Sequence, residues 1–229
     1  MGPRGRDIVQ ILSVNVGEER PIQNAKSSGR SGIFKLPAEG SVQVTYGGLA
    51  GDRISDTENH GGVDQAVYVY GEPDYEWWSG ELSRDLAPGT FGENLTVSEL
   101  ESVRACIGDR LRVGSAVLEV TAPRIPCVTL AARMGDPSFV KRFREAERPG
   151  LYCRVIREGE VRASDAVLYE PYEGETVGAI EVFRDFFEPD QREETIRRHL
   201  AAPIAVRARA EKERQLERLL ARRAGEERA

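Results

Sequence analysis

Polar and apolar residues alternate through much of the first 170 positions of this chain. Val42, Val44 and Tyr46 are interleaved with Ser41, Gln43 and Thr45, the period of two that marks a strand with one buried face. Residues 41–46 are therefore expected to be a strand, as are residues 8–16 and the compact run 66–70. The strongest signal is a hairpin of Arg110–Val113 and Ala116–Val120 joined by Gly114 and Ser115, a pair suited to a type II′ turn. Residues 151–161 predict a second hairpin, turning at Glu158 and Gly159. Residues 72–82 read as a helix, with Pro73 tolerated in its first turn and Trp77 and Trp78 available for packing. Many short strands with glycine-rich turns and few helices predict a mainly β domain, barrel-like or a sandwich.

From residue 172 the pattern changes to helix formers. Val177, Ile180, Phe183 and Phe187 recur at spacings of three and four, which places them on one face of a helix. Pro189 and Pro203 then separate two further helices, the last passing through Leu216, Leu219 and Leu220. The expected organisation is a β domain over residues 1–171 and a three-helix appendage over 172–229, frayed beyond Ala224. Phe183, Phe186 and Phe187 either pack these helices together or mark a subunit contact in a homodimer. Packing within the appendage is the reading adopted.

Composition narrows the function classes. The chain has 229 residues, 40% hydrophobic and 31% charged, with a net charge of −6. That suits a soluble globular protein and argues against a general nucleic-acid binder. The N-terminus carries no continuous apolar segment of a secretory signal, and no stretch approaches the ~20 apolar residues of a membrane span. Three cysteines without a close pair, Cys106, Cys127 and Cys153, do not make a disulfide framework. A reducing cytoplasm is the expected compartment.

Candidate chemistry concentrates in three segments. In Ala122–Pro123–Arg124–Ile125–Pro126–Cys127, two prolines stiffen the backbone around one thiol, and Arg124 brings a positive charge beside it. A thiolate there suits a soft or sulfur-bearing metal centre; a small buried hydrophobe is the other reading of Cys127. His60 precedes Gly61 and Gly62, whose conformational freedom permits an anion nest or simply a polar turn. Asn94, in Phe91–Gly92–Glu93–Asn94–Leu95, offers a donor and an acceptor to a heterocycle edge, or forms a turn. Alternation places Cys153 on the core face and Tyr152 and Arg154 on the other. Cys106 reads as structural and His199 as a surface residue of a helix. Lys35 and Arg154 are candidate phosphate or carboxylate binders. The chain has no G-x-S-x-G elbow, phosphate loop, C-x-x-C pair or H-E-x-x-H motif, and two distant histidines do not suggest an all-protein zinc site.

The succession Gly48–Asp52, His60–Gly61–Gly62 with Asp64, Phe91–Asn94, Ile107–Asp109 and Pro123–Cys127 resembles the MOSC domain family, the C-terminal domain of molybdenum-cofactor sulfurases, and within it the stand-alone members of the YiiM type. The helical end after residue 172 is similar to the three-helix domain of those members. The resemblance implies a β-barrel-like fold that carries a molybdenum–pterin cofactor, with Cys127 as its catalytic thiolate ligand. It implies cofactor contacts at Lys35, His60, Gly61, Gly62, Asn94, Arg124, Tyr152 and Arg154. It also implies reduction of small N-hydroxylated substrates such as hydroxylaminopurines, with electrons from a separate reductase because the chain lacks an iron–sulfur or dinucleotide motif. A non-redox carrier of the cofactor or of sulfur is the alternative. Pyridoxal phosphate would require a Schiff-base lysine, for which Lys35 is the only one in a matching segment. Two positions depart from the family pattern: Val128–Thr129 replaces an aromatic followed by a basic or small residue, and Gln65 replaces a lysine or arginine.

Overall fold

The computed structural model describes residues 9–25, 29–53 and 61–226. Its first strands are β1 (Ile11–Val16), β2 (Arg20–Pro21), β3 (Arg30–Ser31), β4 (Leu36–Pro37), β5 (Val42–Thr45), β6 (Gly48–Leu49), β7 (Val67–Gly71) and β8 (Leu95–Val97). They are followed by β9 (Arg110–Val113), β10 (Ala116–Pro123), β11 (Leu151–Arg157), β12 (Gly159–Val161) and β13 (Val167–Glu170). The helices are α1 (Glu72–Leu82), α2 (Val128–Met134), α3 (Phe139–Ala146), α4 (Ala179–Phe187), α5 (Glu193–Ala201) and α6 (Val206–Glu226).

Eight strands form one mixed sheet in the order β13-β9-β10-β11-β7-β8-β1-β4, with β12-β5-β6 and β2-β3 as small sheets. All pairs in the large sheet are antiparallel except β7 with β8, whose parallel register is bridged by helix α1. The described strands do not close into a barrel. One bridge, Gln10 to Ala166, and the bonds from Ile11 N to Asp165 O and from Val167 N to Val9 O tie the start of β1 to the lead into β13. The expected barrel-like domain is thus a sheet-rich mixed fold with several helices.

Local sequence explains the elements. β7 and β8 are buried on both faces, which is why they read as continuous apolar runs rather than alternating ones. In the β9–β10 hairpin Gly114 takes φ 54 while Ser115 keeps a negative φ, as a type II′ turn requires. Gly71 ends β7 where the Leu100 carbonyl passes so close that an added Cβ would lie 1.5 Å from its oxygen, so no side chain fits there. The expected second hairpin does not form. β12 pairs with β5, not β11, and Glu160 also exchanges bonds with Ser115 in the neighbouring turn, N to Oγ at 2.8 Å and O from N at 3.1 Å.

Two apolar clusters make up the core. One fills the strands and includes Val177, Ala179, Ala202 and Ile204. The other gathers Trp78, Phe91, Phe139, Phe143 and Phe183 around Tyr70. Residues beyond 172 thus contribute to both. Val177 precedes α4 instead of lying on it, and its carbonyl accepts from Ile107 N at 2.8 Å. Phe183 is buried, whereas Phe186 is 60% exposed. His199, expected on the surface, is buried: α4 covers it, and its Nε2 lies 2.7 Å from Glu181 Oε1. No described helix is long and apolar enough to cross a membrane.

Candidate functional site

Strand β10 delivers the site. It ends at Pro123, and the Arg124–Pro126 segment carries the chain to Cys127, the residue that caps α2. Cys127 is half-buried and none of the three cysteines is in a disulfide. Arg124, close enough to Cys127 to interact electrostatically with its thiol, is 4% exposed. Its Nη1 donates to the Phe91 carbonyl, and its guanidinium carbon lies 5.0 Å from the centre of the Tyr68 ring. Burial works against its charge, but the Tyr152 and Tyr68 phenols and the Cys127 thiol hold its pKa above the ordinary arginine value. Its Nε is buried with no partner among the described residues, an open donor in a low-dielectric setting.

Around this guanidinium stand Tyr68 and Tyr152, with ring centres 5.0 Å apart. Strand pairing sets them side by side, since Tyr152 of β11 is in register with Tyr68 of β7. Burial raises both phenol pKa values, so both keep their protons at neutral pH. The Tyr68 hydroxyl donates to the Pro149 carbonyl at 2.8 Å.

Asn94, Lys35 and Asp52 form a second group beside the first. Asn94 Oδ1 accepts from Tyr68 N at 3.0 Å and its Nδ2 donates to Asp52 Oδ2 at 2.9 Å. Lys35 Nζ is paired with Asp52, both nearly enclosed. Burial lowers the Lys35 pKa and the Asp52 carboxylate opposes that shift. The lysine that a Schiff base would need is therefore engaged in an ion pair. Glu93, next to Asn94, is fully buried. One of its oxygens accepts from Tyr75 Oη, Gly89 N and Thr96 Oγ1 at 2.6, 2.6 and 2.8 Å. The other has no partner among the described residues, and burial raises the Glu93 pKa.

Gly61 and Gly62 both take positive φ, 76 and 79, and lead into the short 3-10 turn Val63–Gln65. His60 lies outside the described residues. Arg154 faces the same side as Tyr152 but is committed elsewhere. It pairs with Asp64 Oδ1 at 3.0 Å and donates to the Pro203 and Ile204 carbonyls at 3.1 and 3.3 Å. Asp64 Oδ2 also accepts from Val206 N at 2.7 Å, so the Gly61–Gln65 loop is tied to the start of α6.

Cys127 opens onto a cleft of about 610 Å³ between the Ala122–Cys127 segment and the C-terminal helices. Tyr152 and Gln65 line it with Cys127, and Phe186, Asp185 and Lys212 line the opposite wall. Thus the sheet brings Cys127, Arg124 and Tyr152 together with the Asn94–Lys35 group, and leaves Arg154 in a separate clamp. Sequence reasoning missed Asp52, Glu93 and Tyr68 as parts of the site, and Gln65 as a wall of the cleft. Asp52 and Glu93 stand within motifs already noted and Gln65 is a departure from the family pattern; for Tyr68 the signal is tertiary. No group of three or more His, Cys, Asp or Glu side chains able to hold a metal occurs among the described residues.

Residues 56–168 match the model of the MOSC domain family. The uncharacterized protein YflK of Bacillus subtilis is 40% identical over 151 residues, 66% of this chain and 68% of that protein. A protein named reductase from Gibberella moniliformis is 34% identical over 62% of this chain but 26% of its own length. Escherichia coli YiiM is 31% identical over 58% of this chain and 61% of its own. Among solved structures, YiiM from Geobacillus stearothermophilus superposes with a TM-score of 0.74 at 23% identity, over 91% of this chain and 99% of that one. Escherichia coli YiiM gives 0.71 at 22%, over 90% and 92%. Family match, sequence relatives and shared fold agree, and the chain belongs to the MOSC domain family, with YiiM and YflK among its relatives.

Proposed function

We propose that this protein holds a molybdenum–pterin cofactor against Cys127 and reduces N-hydroxylated compounds, hydroxylaminopurines among them, to amines. The observation that carries this reading is a half-buried thiol beside the fully enclosed Arg124 guanidinium with its open Nε donor. A thiol with no cluster of three or more His, Cys, Asp or Glu side chains able to hold a metal among the described residues suits a metal that arrives with its own sulfur ligands. A buried cation with an unmatched donor suits the negative charge of such a group. The relative named reductase supports a redox role.

In this reading Cys127 supplies the protein thiolate, Arg124 the compensating charge and the Gly61–Gly62 backbone polar contacts to the pterin end, while Asn94, whose amide is committed to Tyr68 N and Asp52, serves to position the neighbouring segments. When bound, the cofactor supplies the two-electron chemistry of N–O cleavage: R–NHOH with two electrons and two protons gives R–NH2 and water. Tyr152 keeps its proton at neutral pH because burial raises its pKa, and its hydroxyl donates a hydrogen bond to the departing oxygen. The electrons come from a separate reductase.

The test is the molybdenum and pterin content of protein from a cofactor-producing host, wild type against Cys127→Ser, followed by turnover of an N-hydroxylated purine with an artificial donor. Near-stoichiometric metal in the wild type, lost in the variant, is the expected result. No metal in either, with a reference molybdoenzyme loaded in the same host, would overturn it and leave the thiol a sulfur-carrying or docking role.

A further inference from the structure

The cleft beside Cys127 has two features that folding does not explain. Gln65 lines it, and the Oε1 of Gln65 is buried without a hydrogen-bond partner among the described residues. An unpaired amide oxygen in the interior is destabilising, and native proteins rarely leave one without a use. Phe186 lines the facing wall and remains 60% exposed, although Phe183 and Phe187 on the same helix are buried or partly buried. The apolar surface between them comes from Ile125, Pro126 and Ile204. The charges on the helical wall largely cancel, since Lys212 and Asp185 are paired at 2.6 Å and enclosed; Glu211 and Arg207, of opposite sign, also line the cleft.

The cleft has an apolar lining, internally neutralised charge and two primary amides. Gln215 is engaged by Lys212 Nζ at 3.1 Å and Glu211 Oε1 at 3.4 Å, which leaves Gln65 as the amide with an unmatched oxygen. Such a lining selects an uncharged ligand with apolar faces. A primary amide pairs best with an edge that carries an acceptor nitrogen next to an amino donor, because it then donates and accepts at once. We propose that Gln65 is the specificity-determining residue of this cleft. It reads the acceptor–amino edge of a nitrogen heterocycle that stacks on Phe186 and turns its exocyclic nitrogen toward Cys127. This rests on the N-hydroxylated-substrate reading above for the identity of the ligand, but not on the cofactor being bound. Phe186 lies outside residues 56–168, the part that matches the family model, so the helical end supplies half of the recognition.

The experiment is a titration of adenine into the whole chain, followed by nuclear magnetic resonance, with wild type, Gln65→Leu, Gln65→Glu, Phe186→Ala and Cys127→Ser. Aniline, which has the amino group and the ring but no adjacent acceptor, is titrated alongside. Adenine is expected to bind the wild type and to weaken about tenfold in Gln65→Leu, the loss of a paired amide contact, and in Gln65→Glu, which removes the amide donor. Aniline is expected to be indifferent to both Gln65 variants. Phe186→Ala weakens both ligands. Absence of adenine binding, or equal losses for adenine and aniline in Gln65→Leu, would overturn the proposal. Adenine binding that persists in Cys127→Ser while neither protein takes up metal would sink the cofactor reading and leave this one standing.

Discussion

Asn94 Nδ2 donates to Asp52 Oδ2 at 2.9 Å, and the same carboxylate neutralises Lys35 and accepts from Gly17 N at 2.9 Å. One acidic side chain thus holds three segments distant in sequence. Because Asp52 and Lys35 are almost entirely enclosed, their separation is costly: removing one member of a buried pair leaves an uncompensated charge, at about 3–5 kcal/mol. Asp52→Ala is expected to lose stability on that scale in urea denaturation. The double variant Asp52→Leu with Lys35→Met should recover most of it. A double variant as unstable as the single one would show that packing, and not charge, is what Asp52 provides.

Glu93 gives a pH dependence with a definite sign. Burial raises its folded pKa above the unfolded value, so the folded state binds the proton more tightly. Its contribution is fully present below the unfolded glutamate pKa and is lost as pH rises through the folded value. Glu93→Gln keeps the shape, stays neutral, and turns the unmatched oxygen into an amide. The variant is expected to be more stable than wild type at neutral pH, with the difference shrinking as pH falls and Glu93 takes up its proton. Thermal unfolding at several pH values measures this. A stability gap that stays constant with pH would mean that Glu93 does not titrate in that window.

Arg154 lies beside the site yet acts on the helical end. Its bonds to Asp64, Pro203 and Ile204 are about a quarter exposed on the arginine side, so Arg154→Met is expected to cost about 1–3 kcal/mol for the partners left unmatched. Amide exchange should accelerate at Val206, whose N–H is held by Asp64, while the protection of β10 stays near that of wild type. Uniform acceleration across the sheet would assign Arg154 a global structural role in place of this clamp.

The strands that alternate or run apolar in sequence appear where they are expected, at β5, β7 and the β9–β10 hairpin, because one-face or two-face burial writes itself into local pattern. Helices α2 and α3 escaped notice. Their core contacts, Leu130, Phe139 and Phe143, are few and are interrupted by Gly135, which ends α2 in a left-handed turn. The pairing of β12 is hidden for a different reason: its partner β5 lies over a hundred residues upstream, and nothing local to residues 158–161 encodes that choice. His199 is enclosed by Glu181 from a separate helix, again a tertiary fact. In the site, the prolines and arginine around Cys127 mark a segment that lines the cleft, and alternation puts Tyr152 opposite Cys153. The cleft was illegible, because its walls are some sixty residues apart in the chain and meet only on folding.

The three thiols differ enough in surroundings for chemistry to rank them. Cys153 is fully enclosed on the core face of β11, and burial, reinforced by Glu119, raises its pKa far above the ordinary thiol value. Cys106 is partly exposed, and burial, then Asp109 and Glu181, raise its pKa too. Cys127 opens onto the cleft next to the Arg124 guanidinium. Thiolate fraction and access together govern alkylation, so iodoacetamide at neutral pH is expected to modify Cys127 first, Cys106 slowly and Cys153 only after unfolding. Peptide mass spectrometry over a time course gives the three rates. Prior addition of adenine should slow Cys127 alone if the ligand occupies the cleft. Labelling of Cys106 ahead of Cys127 would remove the accessible thiol on which the proposed function depends.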